Sequence, residues 1–155
     1  MLDQADRCTT LVLGRFIPFR LNRLADAVSV NLSEIYRDRF GLEISEWRVL
    51  VTVGERGECT AQHVASSARM HKTRVSRAVA SLEERRLLAR FSSAEDGREL
   101  SLELTRAGQR VYASLVPLAL QRQEQLLSCL SAAEQRGLMA AMAKLEAALE
   151  LSGDE

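Results

Sequence analysis

Arg69-Met70-His71-Lys72-Thr73-Arg74-Val75-Ser76-Arg77-Ala78-Val79-Ala80-Ser81-Leu82-Glu83-Glu84-Arg85-Arg86 carries two patterns at once. Val75, Val79 and Leu82 recur at helical spacing, which predicts an inward stripe on a helix from Lys72 to Glu84. Lys72, Thr73, Ser76, Arg77 and Ser81 fall largely on other faces. Between Arg69 and Arg90 there are seven basic residues against Glu83 and Glu84. These residue types suit DNA. The planar arginine fork matches guanine O6 and N7, hydroxyls serve bases or phosphates, and a helix start offers free N–H groups to a phosphate. A merely solvated basic helix would look the same, so the neighbouring segments decide.

Upstream, Thr60 is placed to cap a short helix from Ala61 to about Ser67. Two short helices separated by a few polar residues, with another helix before them, read as a helix-turn-helix. Downstream the period changes. Leu87 and Leu88 lead into a strand ending near Phe91, Ser92 to Gly97 supplies a turn with Asp96-Gly97 at its tip, and Glu99 to Leu104 alternates apolar and polar residues. This β-hairpin is a wing. Arg98 beside the turn suits the minor groove, with Asp96 holding it in place. The bland alternative makes Asp96 a turn residue and Arg98 an edge charge. Arg90 supports the hairpin or a phosphate, His71 is a candidate phosphate contact, and His63 reads as structural.

Farther out, Leu21, Leu24, Val28, Leu32 and Ile35 predict a long helix from about Leu11 to Phe40, with Pro18 near its start or bending it. Gly41 suits its end. Ser45 with Glu46 opens a helix containing Trp47, Val49, Leu50 and Val53, and Gly54 and Gly57 mark its end. Thr105 caps a helix reaching about Leu130, in which Pro117 predicts a kink or a strain of ~3 kcal/mol. Ser131 and Glu134 form a capping box for the last helix, whose Leu138, Met142, Leu145 and Leu149 make a stripe. Such a stripe wants a partner copy, or else folds back on the chain's own core. The fold expected is mainly α with a small β-wing: a winged helix-turn-helix over 45–104, a dimerising helix over 11–40, and C-terminal helices over 105–150 completing the interface.

Composition is consistent with this and excludes much else. The 155 residues carry 21 basic and 21 acidic groups and only 8 Gly and 2 Pro. That argues against disorder and against a crosslink-dependent miniprotein. The charge is uneven: residues 60–110 hold 10 basic against 6 acidic groups, so zero net charge does not exclude nucleic acid. Cys8, Cys59 and Cys129, with His63 and His71, show no metal spacing, and a reduced cytoplasm is expected. No signal peptide or long apolar run is read, so no membrane association is expected. Glycine-rich phosphate loops, HExxH and GxSxG motifs are missing, so neither catalysis nor a cofactor is expected.

In order and spacing, several fragments carry a family resemblance: Ile44-Ser45-Glu46-Trp47-Arg48-Val49-Leu50, Val75-Ser76-Arg77, Leu82-Glu83-Glu84-Arg85, Asp96-Gly97-Arg98, and Leu102-Glu103-Leu104-Thr105-Arg106-Ala107-Gly108. From about Leu11 to Leu149 the chain resembles the MarR family of bacterial winged helix-turn-helix regulators. The resemblance implies a homodimer with interlocked first and last helices on a pseudopalindromic double-stranded operator. It also implies a recognition helix from about His71 to Arg85 in the major groove. Family contact positions carry over to Thr73, Arg74, Ser76, Arg77 and Arg98, with Asp96 as the wing aspartate. Arg86 stands where the family usually has glycine, and a left-handed arginine would cost up to ~1–2 kcal/mol, so a different turn is expected there.

The resemblance further implies a repressor released by a small effector, with Phe16, Phe19, Arg20, Trp47 and Arg48 flanking a cavity for an aromatic acid or an acyl-CoA. Trp47 reads equally as a core anchor, and Arg20, like Arg15 and Arg23, as a solvated charge. Redox control through Cys8, beside Arg7, is the rival mechanism. Cys59 beside Glu58 and Cys129 in an apolar stretch are read as inert. A winged module that binds protein rather than DNA is the remaining alternative.

Overall fold

The computed structural model describes residues 10–92 and 100–151. After a short 3-10 turn at Leu13–Arg15, helix α1 runs Ile17–Phe40. It starts later than the periodicity suggests because Pro18 sits in the first turn, where its missing N–H costs nothing. Gly41 ends it at φ 59. Helix α2 is Ile44–Arg56 and opens on a capping box: Glu43 accepts from the Glu46 N–H, and Glu46 accepts from the Glu43 N–H at 2.7 Å.

Gly54 does not end α2. A Cβ there would stand 2.4 Å from Tyr112 Cδ2, so this glycine lets a later helix approach. A three-residue strand that periodicity cannot reveal, β1 (Glu58–Thr60), precedes α3 (Ala61–Ser67) and α4 (Lys72–Glu84). Thr60 Oγ1 accepts from the His63 N–H at 3.1 Å, capping α3.

Strands β2 (Leu88–Ser92) and β3 (Leu100–Leu104) form the wing, with register Leu88 to Leu104 and Ser92 to Leu100. Strand β3 is central, in the order β1-β3-β2, and all pairs are antiparallel. Leu102 and Leu104 point into the core as expected, but Leu100 is 50% exposed near the tip, and Ser101 is buried instead. Helix α5 runs Arg106–Leu127, continuous through Pro117, and α6 runs Ala132–Ala148 behind the Ser131–Glu134 capping box. Gly108 allows α5 to start against the wing, since a Cβ there would lie 1.9 Å from the Leu87 carbonyl oxygen.

Tyr36, Leu42, Val49, Leu50, Val53, Val64, Val75, Val79, Leu82, Leu102 and Leu115 form one core that joins α1 to α5 with the sheet. Full burial of each such side chain contributes about 1.5–3 kcal/mol. Helix α6 contributes nothing to it. Among the described residues no helix is long and apolar enough to cross a membrane, and no group of three His, Cys, Asp or Glu is placed to hold a metal.

Candidate nucleic-acid interface

Helix α4 turns its buried stripe of Val75, Ala78, Val79 and Leu82 into the core, which decides where everything else points. Thr73 and Arg77, one turn apart, fall on the outward pole. Lys72 and Ser76 occupy the flank facing α3 and the sheet, where both line a cleft of about 310 Å³ with Gln62, Arg90, Leu100 and Leu102. Arg74 and Ser81 lie on the opposite flank, toward α2. His71, Lys72, Thr73, Arg74, Ser76 and Arg77 are all exposed. Among the described residues, Lys72, Arg74 and Arg77 make no ion pair, so their charge is available to a polyanion.

His71 is the N-cap of α4: its Nδ1 accepts from the Thr73 N–H at 3.3 Å. In that state the neutral ring carries its proton on Nε2, a donor suited to a phosphate oxygen. Arg90 Nε pairs with Glu83 at 2.9 Å, which ties the wing to the recognition helix. Asp96 and Arg98 lie outside the described residues.

The turn after α4 keeps the left-handed geometry. Arg86 has φ 57, its N–H reaches the Glu83 carbonyl at 2.8 Å, and the Leu87 N–H reaches the Leu82 carbonyl at 2.9 Å. This is a Schellman closure with arginine in the glycine position. Thr105 Oγ1 donates to the Arg86 carbonyl at 2.7 Å and holds the turn from the far side of the wing. The expectation of a different turn is therefore corrected. Arg69, at φ 50, closes α3 the same way, with the Met70 N–H on the Ala65 carbonyl at 2.9 Å.

Sequence reading missed a polar staple behind the recognition helix. Buried Glu46 accepts from Ser81 Oγ of α4, and Arg85 Nη1 stands 3.7 Å from its carboxylate. The same guanidinium donates to the carbonyls of Phe40 and Gly41. Only the pairing of residues 35 to 45 positions apart shows this, and no local signal carries it.

The five residues expected to flank an effector cavity do not gather within one chain. Trp47 stacks on Tyr36 at 5.2 Å and 8°, as a core anchor. Phe19 lies 17 residues earlier on the same helix, about 25 Å away at 1.5 Å per residue. It sits with Phe16 and Arg20 at the other end of α1, under the Arg23 guanidinium at 5.7 Å. Arg48 faces a separate notch with Arg74. Of the thiols, Cys59 is buried and burial pushes its pKa up, while Cys129 is exposed at the α5–α6 turn rather than packed. Cys8 lies outside the described residues.

These elements define a winged helix-turn-helix with a cationic recognition helix. Residues 40–99 match the MarR family model. An uncharacterized HTH-type transcriptional regulator of Bacillus subtilis, YxaD, is 29% identical over 99 residues, covering 64% of this chain and 69% of that protein. A MarR/EmrR family transcriptional regulator from an Acinetobacter species superposes with a TM-score of 0.82 at 27% identity, over 92% of this chain and 100% of that one. Bordetella bronchiseptica BpsR, solved to explain regulation of its DNA binding by 6-hydroxynicotinic acid, shares the fold at TM-score 0.78 and 20% identity, over 88% of this chain and 97% of its own. Residues 40–99 thus carry a winged helix-turn-helix of the MarR type, and along most of its length the chain is similar to a transcriptional regulator of that family.

Proposed function

We propose that the chain works as a homodimer reading a pseudopalindromic operator, with half-sites about one helical turn apart, ~34–36 Å. Residues 11–40 and 105–150 join the two copies, and residues 45–104 present the reader. The observation that carries this is the outward face of α4, where Thr73 and Arg77 point away from the core between cationic flanks. Arg77 then reads a base edge in the major groove, while Lys72, His71 and Arg74 hold phosphates. Arg98 is assigned to the minor groove, with Asp96 holding it and Arg90 bracing the wing.

The regulator is a repressor relieved by a small effector of the aromatic-acid or acyl-CoA class. The BpsR precedent supports an aromatic acid through the shared fold. The cleft between α3, α4 and β3 has the size of a small-molecule site, and Lys72 is positioned there to meet a carboxylate. An effector seated there competes with DNA for the same face. The site expected between the long helices is retained only for the dimer, where a second copy would have to bring Phe16, Phe19 and Arg20 to a floor such as Trp47.

The test is titration of the purified protein with its own upstream DNA at two salt concentrations, followed by aromatic acids and their CoA thioesters. Binding that weakens with salt and is released by one compound supports both halves of the proposal. Binding released only by oxidant moves the sensor to a cysteine, and no binding at all moves the winged face to a protein partner.

A further inference from the structure

We propose that Arg48, on α2, is a DNA-backbone contact that grips a phosphate together with Arg74 on the flank of the recognition helix away from the wing. The inference rests on the DNA-binding reading of α4. Glu43, Ile44, Ser45, Arg48, Met70 and Arg74 line a notch of about 170 Å³. That is below the roughly 300 Å³ at which small-molecule pockets begin, but ample for a phosphate group.

The charges of the notch are unbalanced. Its one lining carboxylate, Glu43, is already engaged, with Arg37 Nη2 at 3.4 Å and with the first turn of α2. Neither Arg48 nor Arg74 makes an ion pair among the described residues. Two guanidiniums facing one concavity repel each other unless an anion lies between them.

Position supplies the identity of that anion. With Thr73 and Arg77 aimed into a groove about 12 Å wide, the two phosphate ribbons bordering it run along the two flanks of α4. Lys72 and the wing serve one ribbon, and the Arg48–Arg74 notch faces the other. Ser45 and Arg48, three residues apart, share one face of α2 and both line the notch.

The test compares wild type with Arg48→Gln and Arg48→Lys on two labelled duplexes, the upstream DNA and a scrambled sequence, between about 50 and 200 mM salt. Arg48→Gln is expected to weaken both duplexes alike, roughly two- to fivefold at low salt. It should also reduce the slope of log affinity against log salt by about 1. Arg48→Lys should keep the slope, and both variants should melt like wild type. A slope unchanged in Arg48→Gln, with wild type still steep, overturns the assignment and leaves the DNA reading standing. Wild-type binding in Arg48→Gln together with lost effector release overturns it in favour of an effector contact. A wild type with no salt-dependent DNA affinity removes both readings. Should Arg48→Gln melt early, the slope of Arg74→Gln decides, since it belongs to the same notch.

Discussion

The winged core and the last helix draw on the same apolar residues and meet opposite fates. In the core, Leu50, Leu82 and Leu102 are fully enclosed by elements distant in sequence. On α6 and its C-terminal cap, Leu138, Met142, Leu145 and Leu149 remain 40%, 44%, 48% and 67% exposed. The N-terminal end of α1 and the turn leading into it behave like α6, with Leu13, Phe16, Ile17, Leu21 and Leu24 also open. The central region satisfies itself within one chain, whereas the two ends leave an apolar surface that no described residue covers. The two regions should therefore fail differently when cut back.

Leu50→Ala should break the core outright, lowering unfolding stability by about 2–5 kcal/mol in a denaturant titration at any protein concentration. Leu145→Ala should act through association instead. Each buried leucine contributes about 1.5–3 kcal/mol, and symmetry counts it twice, so sedimentation should show a weakened dimer. A concentration-independent loss of stability would place Leu145 in the chain's own core and erase the contrast. Arg77→Ala should leave both regions intact while costing about 1–3 kcal/mol of operator discrimination in a binding assay. Arg86→Gly should raise the melting temperature by relieving about 1 kcal/mol of left-handed strain, and an unchanged melt would mean that the Thr105 tether removes that strain.

The smallest effect lies at the start of α6. Hydrogen bonds from the Ser131 side chain and backbone hold the Glu134 carboxyl below its ordinary pKa. Because the folded value is lowered, the cap is complete above the usual glutamate range near ~4.3 and is lost as pH falls through the folded value. Helicity measured by circular dichroism should fall on acidification in wild type, and Glu134→Gln should flatten that dependence.

Caps and stripes were legible in the sequence because they are local. Thr60, Thr105, Ser131 with Glu134, and the Val75–Val79–Leu82 row are complete within three to seven residues. What stayed hidden depends on distant partners. Strand β1 exists only because β3 pairs with it more than forty residues later. Glu43 as a cap was overlooked in favour of the Ser45–Glu46 start, and Glu46 is buried only because Ser81 and Arg85 reach it. The candidate effector residues failed to gather for a simple geometric reason. Residue type says what a side chain can bind, but a helix of 24 residues separates its ends by about 36 Å.

That length gives the Arg85 staple mechanical meaning. The guanidinium clasps the last carbonyls of α1 from the last turn of α4, so the far end of one helix is riveted to the base of the other. Helix α1 is thus a long arm with its open end among the exposed leucines and its other end fixed to the recognition helix. A tilt of about 5° at the open end would carry the rivet, about 36 Å away, through roughly 3 Å, comparable to the spacing between neighbouring base pairs.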